Sequence, residues 1–144
     1  MDSRFTEELI FPKPQSVGAR PWGTEDLLSL VSEKFSVKAL RLKSGSKGGL
    51  QFHRLKDEVA VLISGKMIIR FDLGDGVLQE RVVTDGSVVH FPPGLVHQEE
   101  AVTDCYIIEA STPHFNDRVR MEENYNLGKP EGLPTTEISE IEIR

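Results

Sequence analysis

Along the middle of the chain, apolar and polar residues alternate with a period of two in short runs, each ended by glycine, proline, serine or aspartate. This is the pattern of β-strands joined by tight turns. Phe35, Val37 and Ala39 alternate with Ser36, Lys38 and Leu40 until Ser44-Gly45-Ser46. Runs at 50–53 and 58–64 follow, the second ending at Gly65. The run at 66–71 leads into Asp72-Leu73-Gly74-Asp75-Gly76, whose Asp/Gly pairs tolerate positive φ and so mark a hairpin. Residues 77–83 return to Asp85-Gly86, 87–91 stops at Pro92-Pro93-Gly94, and 105–111 is the last strong strand. With no long helical pattern, the reading is an all-β sandwich or barrel in one domain over residues 23–126. Pro12, Pro14 and Pro21 predict an extended arm at 1–22, lying on the barrel or on a second copy. Gly128, Pro130, Gly132 and Pro134 predict an irregular tail at 127–144, in which Ile138, Ile141 and Ile143 offer one more edge strand.

A chain of 144 residues buries about two thirds of the surface its unfolded form exposes, so it needs no disulfide to fold. Cys105 is the only cysteine, which removes both an internal disulfide and a thiolate metal cluster. Any metal must therefore sit on nitrogen and oxygen. A net charge of −6 argues against nucleic acid, whose binding depends on neutralising phosphates. No apolar run is long enough to span a bilayer and residues 1–10 lack the form of a signal peptide, so no membrane is expected and the expected location is the cytosol. One stretch departs from the acidic balance: Lys34, Lys38, Arg41, Lys43, Lys47, Arg54 and Lys56 have no acidic residue among them. It reads equally as a solvated strand face or as a pocket for a small anion.

Gln51 and His53 stand two apart in one run, so both side chains leave the same face. Glu58 opens the next run, and His97 follows the proline and glycine corner. Two imidazoles, a carboxylate and an amide oxygen suit a divalent ion such as Zn, Mn, Fe or Ni. A lone strand histidine is more often a hydrogen-bonded residue than a ligand, but the spacing outweighs that. In order come Gly45, five residues, Gln51, one, His53, four, Glu58, six, Gly65; then Gly86, five, Pro92, one, Gly94, two, His97.

These two runs resemble the paired motifs of the cupin superfamily, with Gln51 where many members place a first histidine and Ala101 where many place an asparagine. The resemblance implies a cupin double-stranded β-helix, a jelly-roll barrel. Arg20-Pro21-Trp22-Gly23, Gly49-Leu50-Gln51-Phe52-His53, Ile108-Glu109-Ala110-Ser111-Thr112-Pro113 and residues 117–125 are similar to the cupin domain of type II mannose-6-phosphate isomerases. That similarity implies zinc on Gln51, His53, Glu58 and His97, and a small sugar or sugar phosphate as partner. Lys38 and Lys56 match lysines near the metal site of type I relatives. Departures fall at Asn126-Leu127, where the family usually has glycine and arginine, and at Arg54-Leu55-Lys56, where it is richer in histidine. No nucleotidyltransferase domain accompanies the motifs, so nucleotide-sugar synthesis is not expected of this chain alone.

Aldose–ketose interconversion needs a base near the migrating proton. Lys38, on the strand face of Leu40 and Leu42, is one candidate, since burial would lower its pKa. Glu109, on the face of Cys105 and Ile107, and His114 are others. Arg20, Lys56 and Arg120 are candidates for binding a phosphate or carboxylate, and Trp22 for stacking on a sugar. Two other readings stay open: an iron-dependent dioxygenase, because His53, His97 and Glu58 form a two-histidine, one-carboxylate triad, and a metal-stabilised sugar-binding module without catalysis. Open sheet edges and the proline-bearing arm suggest a homodimer.

Overall fold

The computed structural model describes residues 9–11, 13–17 and 20–128. Its strands are β1 (Gln15–Ser16), β2 (Gly23–Val31), β3 (Phe35–Leu42), β4 (Gln51–His53), β5 (Glu58–Ser64), β6 (Lys66–Asp72), β7 (Leu78–Thr84), β8 (Val88–Phe91), β9 (Val96–Ala101), β10 (Cys105–Ser111) and β11 (Arg118–Arg120), followed by a 3-10 turn at Glu122–Tyr125. They form two antiparallel sheets, in the orders β1-β2-β3-β10-β5-β8 and β11-β4-β9-β6-β7. From β3 onward the chain passes repeatedly between the sheets, so both wind as one double-stranded β-helix, a single-domain jelly roll. Among the described residues no helix is long and apolar enough to cross a membrane.

The inner face of the six-stranded sheet is built in rungs. Residues directly opposite each other share a face, so the register Leu40, Ile107, Leu62 makes an apolar rung, and Lys38, Glu109, Ala60 makes a polar one beside it. Phe91, Ala101, Ile107, Leu62 and Met67 are the most enclosed members of the apolar cluster, at 1–3 % exposed. The polar rungs lie at one end of this cluster, where the site is built.

Several elements lay outside the strand pattern of the sequence. β2 was hidden because its register shifts between Leu27 and Ser29, which breaks the alternation. β9 is mostly polar, and β11 is only three residues long. In β3 the apolar positions Phe35 and Val37 face outward while Ser36 and Lys38 are buried, the reverse of a simple hydrophobic-in reading. Of the basic stretch, Lys34, Arg41, Lys43, Lys47 and Arg54 are exposed; only Lys38 and Lys56 turn inward. Part of the arm appears as β1, paired with β2 through Gln15–Leu27 and Ser16–Asp26. The edge strand expected at Ile138, Ile141 and Ile143 lies outside the described residues.

Gly23 fixes the entry to β2. Its φ is +151°, and a Cβ there would stand 1.8 Å from the Arg41 carbonyl oxygen of the paired strand. Gly94 also has positive φ, but a Cβ would meet nothing within 4 Å. Gly23→Ala should therefore cost well above about 2 kcal/mol and lower Tm sharply, whereas Gly94→Ala should cost about 1 kcal/mol. Thermal melts of the two variants compare them directly.

Candidate metal centre

Three short-range constraints bring the two motifs together. Gln51 of β4 is the register partner of His97 of β9. The corner before β9 is tied back to β4 by a hydrogen bond from Gly94 N to the His53 carbonyl, 2.8 Å. Phe91, ending β8, stacks on the His97 ring at 4.2 Å between centroids. His53, Glu58 and His97 are all buried, and one ligand atom of each lies within 4.8 Å of the others. Gln51 lines the same cavity.

Hydrogen bonding at the far side of each ring settles which nitrogen faces the centre. His53 Nδ1 lies 3.1 Å from Asp117 Oδ1, and Asp117 Oδ2 accepts from the backbone N–H groups of Leu55 and Lys56 at 2.8 Å each. Those N–H groups and His53 hold the Asp117 carboxyl below its usual range despite partial burial. His97 Nδ1 donates to the Leu95 carbonyl at 2.9 Å. With Nδ1–H engaged on both rings, each Nε2 presents a lone pair inward. Burial first, then the nearby Lys56 charge, lowers both imidazoles to about 4, so both are neutral at physiological pH. Glu58 Oε1 lies 3.6 Å from His53 Nε2 and 3.7 Å from His97 Nε2, too far to hydrogen-bond. Donors about 2.1 Å from one ion stand at most about 4.2 Å apart, so this spacing fits a shared cation. Two neutral nitrogens and a carboxylate oxygen aimed at one point, with no proton between them, fit a divalent metal.

The cavity above this centre measures about 130 Å³. Charged residues on its wall are paired across sheets and loops. Arg20 Nε lies 2.6 Å and Lys38 Nζ 3.1 Å from the two oxygens of Glu25, and Lys38 also sits over the Phe115 ring. Burial raises the Glu25 carboxyl, but Lys38 and Arg20 bring it net below its usual value. Lys56 Nζ bridges Glu109 Oε1 at 2.6 Å and Glu58 Oε2 at 3.0 Å, which raises the ammonium pKa against its burial. Glu109 is itself raised, by burial and then by Glu58, more than Lys56 lowers it.

The structure thus gathers most of the sequence candidates around one cavity: Gln51, His53, Glu58, His97, Lys38, Glu109, Arg20, Trp22 and Lys56. Two lie elsewhere. His114 is on a separate surface groove, with its Nδ1 2.8 Å from Thr112 Oγ1. Arg120 is held by the buried Glu122, its Nε 2.6 Å from Oε1, so its charge is committed to an internal ion pair. Lys56, expected to take a substrate anion, is already bound by two carboxylates.

Four wall or support residues were missed: Glu25, Glu99, Asp117 and Arg118. Glu99 was findable, since it stands two residues after His97 on one strand and therefore shares its face. Arg118 is the register partner of His53 on an edge strand too short to announce itself.

Comparison with known proteins places this architecture. No family model matches the chain. The xanthan biosynthesis protein XanB of Xanthomonas campestris pv. campestris is 28 % identical over 111 residues, covering 74 % of this chain and 22 % of that protein. Among solved structures, the capsular polysaccharide assembling protein CapF of Staphylococcus aureus superposes with a TM-score of 0.67 at 24 % identity, over 78 % of this chain and 32 % of that one. Oxalate decarboxylase of Bacillus subtilis gives 0.66 at 20 % identity, over 87 % and 38 %. KdgF from Halomonas gives 0.59 at 14 % identity, over 72 % and 89 %. The chain spans about a fifth of the length of XanB and a third of that of CapF. These likenesses establish the cupin jelly-roll fold.

Two outcomes follow. His97→Ala should abolish stoichiometric divalent metal, read by elemental analysis, and lower Tm in the same sample, while Gln51→Ala should weaken retention less. In chelator-treated protein, the histidine pKa falls on folding from 6.5 to about 4, so the stability these groups contribute is complete above pH 6.5 and is lost as pH falls towards 4. Tm should drop across that window by on the order of 10 °C, and His97→Gln should flatten the profile.

Proposed function

We propose that this chain is a metal-dependent isomerase or epimerase of a small sugar or sugar phosphate. The observation that carries the reading is the adjacency, through Lys56, of a metal-type donor set and a buried carboxyl whose pKa is raised. A divalent ion on Gln51, His53, Glu58 and His97 supplies Lewis acidity that polarises a substrate carbonyl. Glu109 is then the group best fitted to take a proton from the neighbouring carbon, because burial and Glu58 bring its pKa closer to working pH. Lys56, bonded to Glu109 and Glu58, orients the base and compensates the charge that forms when Glu109 is ionised.

Lys38 and Glu25 continue the same sheet face beside Glu109, with Arg20 and Trp22 on the cavity wall next to them. Their arrangement supports binding and orientation more than proton abstraction, since Lys38 is held by Glu25 and Phe115. Two of the similar proteins, a xanthan biosynthesis protein and a capsular polysaccharide assembling protein, bear names that lie in saccharide assembly, which favours a sugar over other carbonyl substrates.

Incubation of metal-loaded protein with hexose and pentose phosphates in deuterated water should place deuterium on the carbon beside the carbonyl of at least one of them. Glu109→Gln should lower that exchange at least about 100-fold while retaining stoichiometric metal. Oxygen consumption by the iron-loaded protein would instead favour the dioxygenase, and binding of sugars without exchange the non-catalytic module.

A further inference from the structure

Among the described residues, none bonds the side chain of Glu99. It lies on β9 two residues after His97, facing inward with His97 and Ala101. Its backbone carbonyl is engaged by Gly48 N at 2.9 Å. Its side chain makes no hydrogen bond or ion pair with any described residue, whereas Glu25, Glu58 and Glu109 each have a cationic partner. Nor does it reach the metal-type cluster, whose ligand atoms come from His53, Glu58 and His97 alone. Below Glu99 is an apolar void of about 10 Å³ walled by Leu62, Met67, Ile69, Phe91 and Ile107 among others, with no other polar group to hold a water molecule. Above it is the main cavity. The Glu99 side chain is only partly buried and lines that cavity, so a molecule entering there can reach it.

The surroundings select the chemistry of what arrives. Glu58 and Glu109 line the same cavity as Glu99, with Lys56 bound between them. A phosphate or carboxylate at this end would meet three acidic groups. An ammonium would meet the cation that His53, Glu58 and His97 would hold. A hydroxyl suits it in either protonation state, because a hydroxyl both donates and accepts.

Resting on the sugar reading above, we propose that Glu99 binds a substrate hydroxyl at the inner end of the cavity. The ligand is then a polyhydroxylated chain that enters hydroxyl first. Glu99 is on this view a specificity-determining residue. A site built to hydrogen-bond a hydroxyl discriminates strongly against the analogue lacking it.

The test is calorimetric titration of the metal-loaded protein with erythritol 4-phosphate, with its 1-deoxy analogue and with its 1-amino-1-deoxy analogue. The parent protein and Glu99→Gln, which keeps a hydrogen-bonding amide, should both bind the 1-deoxy compound at least 10-fold more weakly than erythritol 4-phosphate. Glu99→Leu should bind the two alike and retain metal. Should the leucine variant not fold, Glu99→Ala replaces it with the same expected loss of discrimination. Equal discrimination by the parent and the leucine or alanine variant would overturn the assignment, as would tighter binding of the amine or no binding of any probe by the parent. Absence of deuterium exchange with hydroxyl discrimination intact overturns the isomerase reading alone; exchange without discrimination overturns this one alone.

Discussion

Four glutamates, Glu25, Glu58, Glu99 and Glu109, point into one narrow barrel, and their mutual repulsion in a medium of low dielectric is the constraint on which the rest of the site depends. The fold meets it with two internal cations and one arginine. Lys38 and Arg20 share Glu25, and Lys56 is shared by Glu58 and Glu109. Arg118 lines the same cavity, so four basic side chains face four acidic ones and the interior is held by pairing rather than by an excess of either sign.

The apolar half of the interior explains why these charges stay where they are. Leu40, Ile107 and Leu62 pack as one rung directly beside the rung of Lys38, Glu109 and Ala60. Ala60 is small, which leaves room for the Glu109 and Lys56 side chains. Close packing below and ion pairing above restrict both groups to one arrangement.

Much of this was legible in the sequence because motif spacing translates directly into geometry. The period of two put Gln51 beside His53, and the glycine and proline corner put His97 opposite them. Lys38 and Glu109 were readable as inward-facing because Leu40, Leu42, Cys105 and Ile107 share their strand faces. Pairing was not readable. That Lys56 would be claimed by two carboxylates, and that Arg120 would be claimed by Glu122 two residues later, depends on where loops return in space. His114 illustrates the same limit: a histidine just past a strand end can turn either way, and this one turns to Thr112. β9 escaped notice because a strand that lines a polar cavity inside and meets Lys47 and Arg70 outside offers little hydrophobic alternation.

Asp117 carries a consequence that reaches beyond the site's chemistry. It fixes the Nδ1 proton of His53 across a sequence separation of 64 residues, and the same carboxylate gathers the backbone of Leu55 and Lys56. The loop holding the metal-facing lysine and histidine is therefore organised by a segment synthesised long after it. The single orientation of the His53 ring thus depends on contact with a segment 64 residues away, and loosening that segment frees the ring without touching β4 itself.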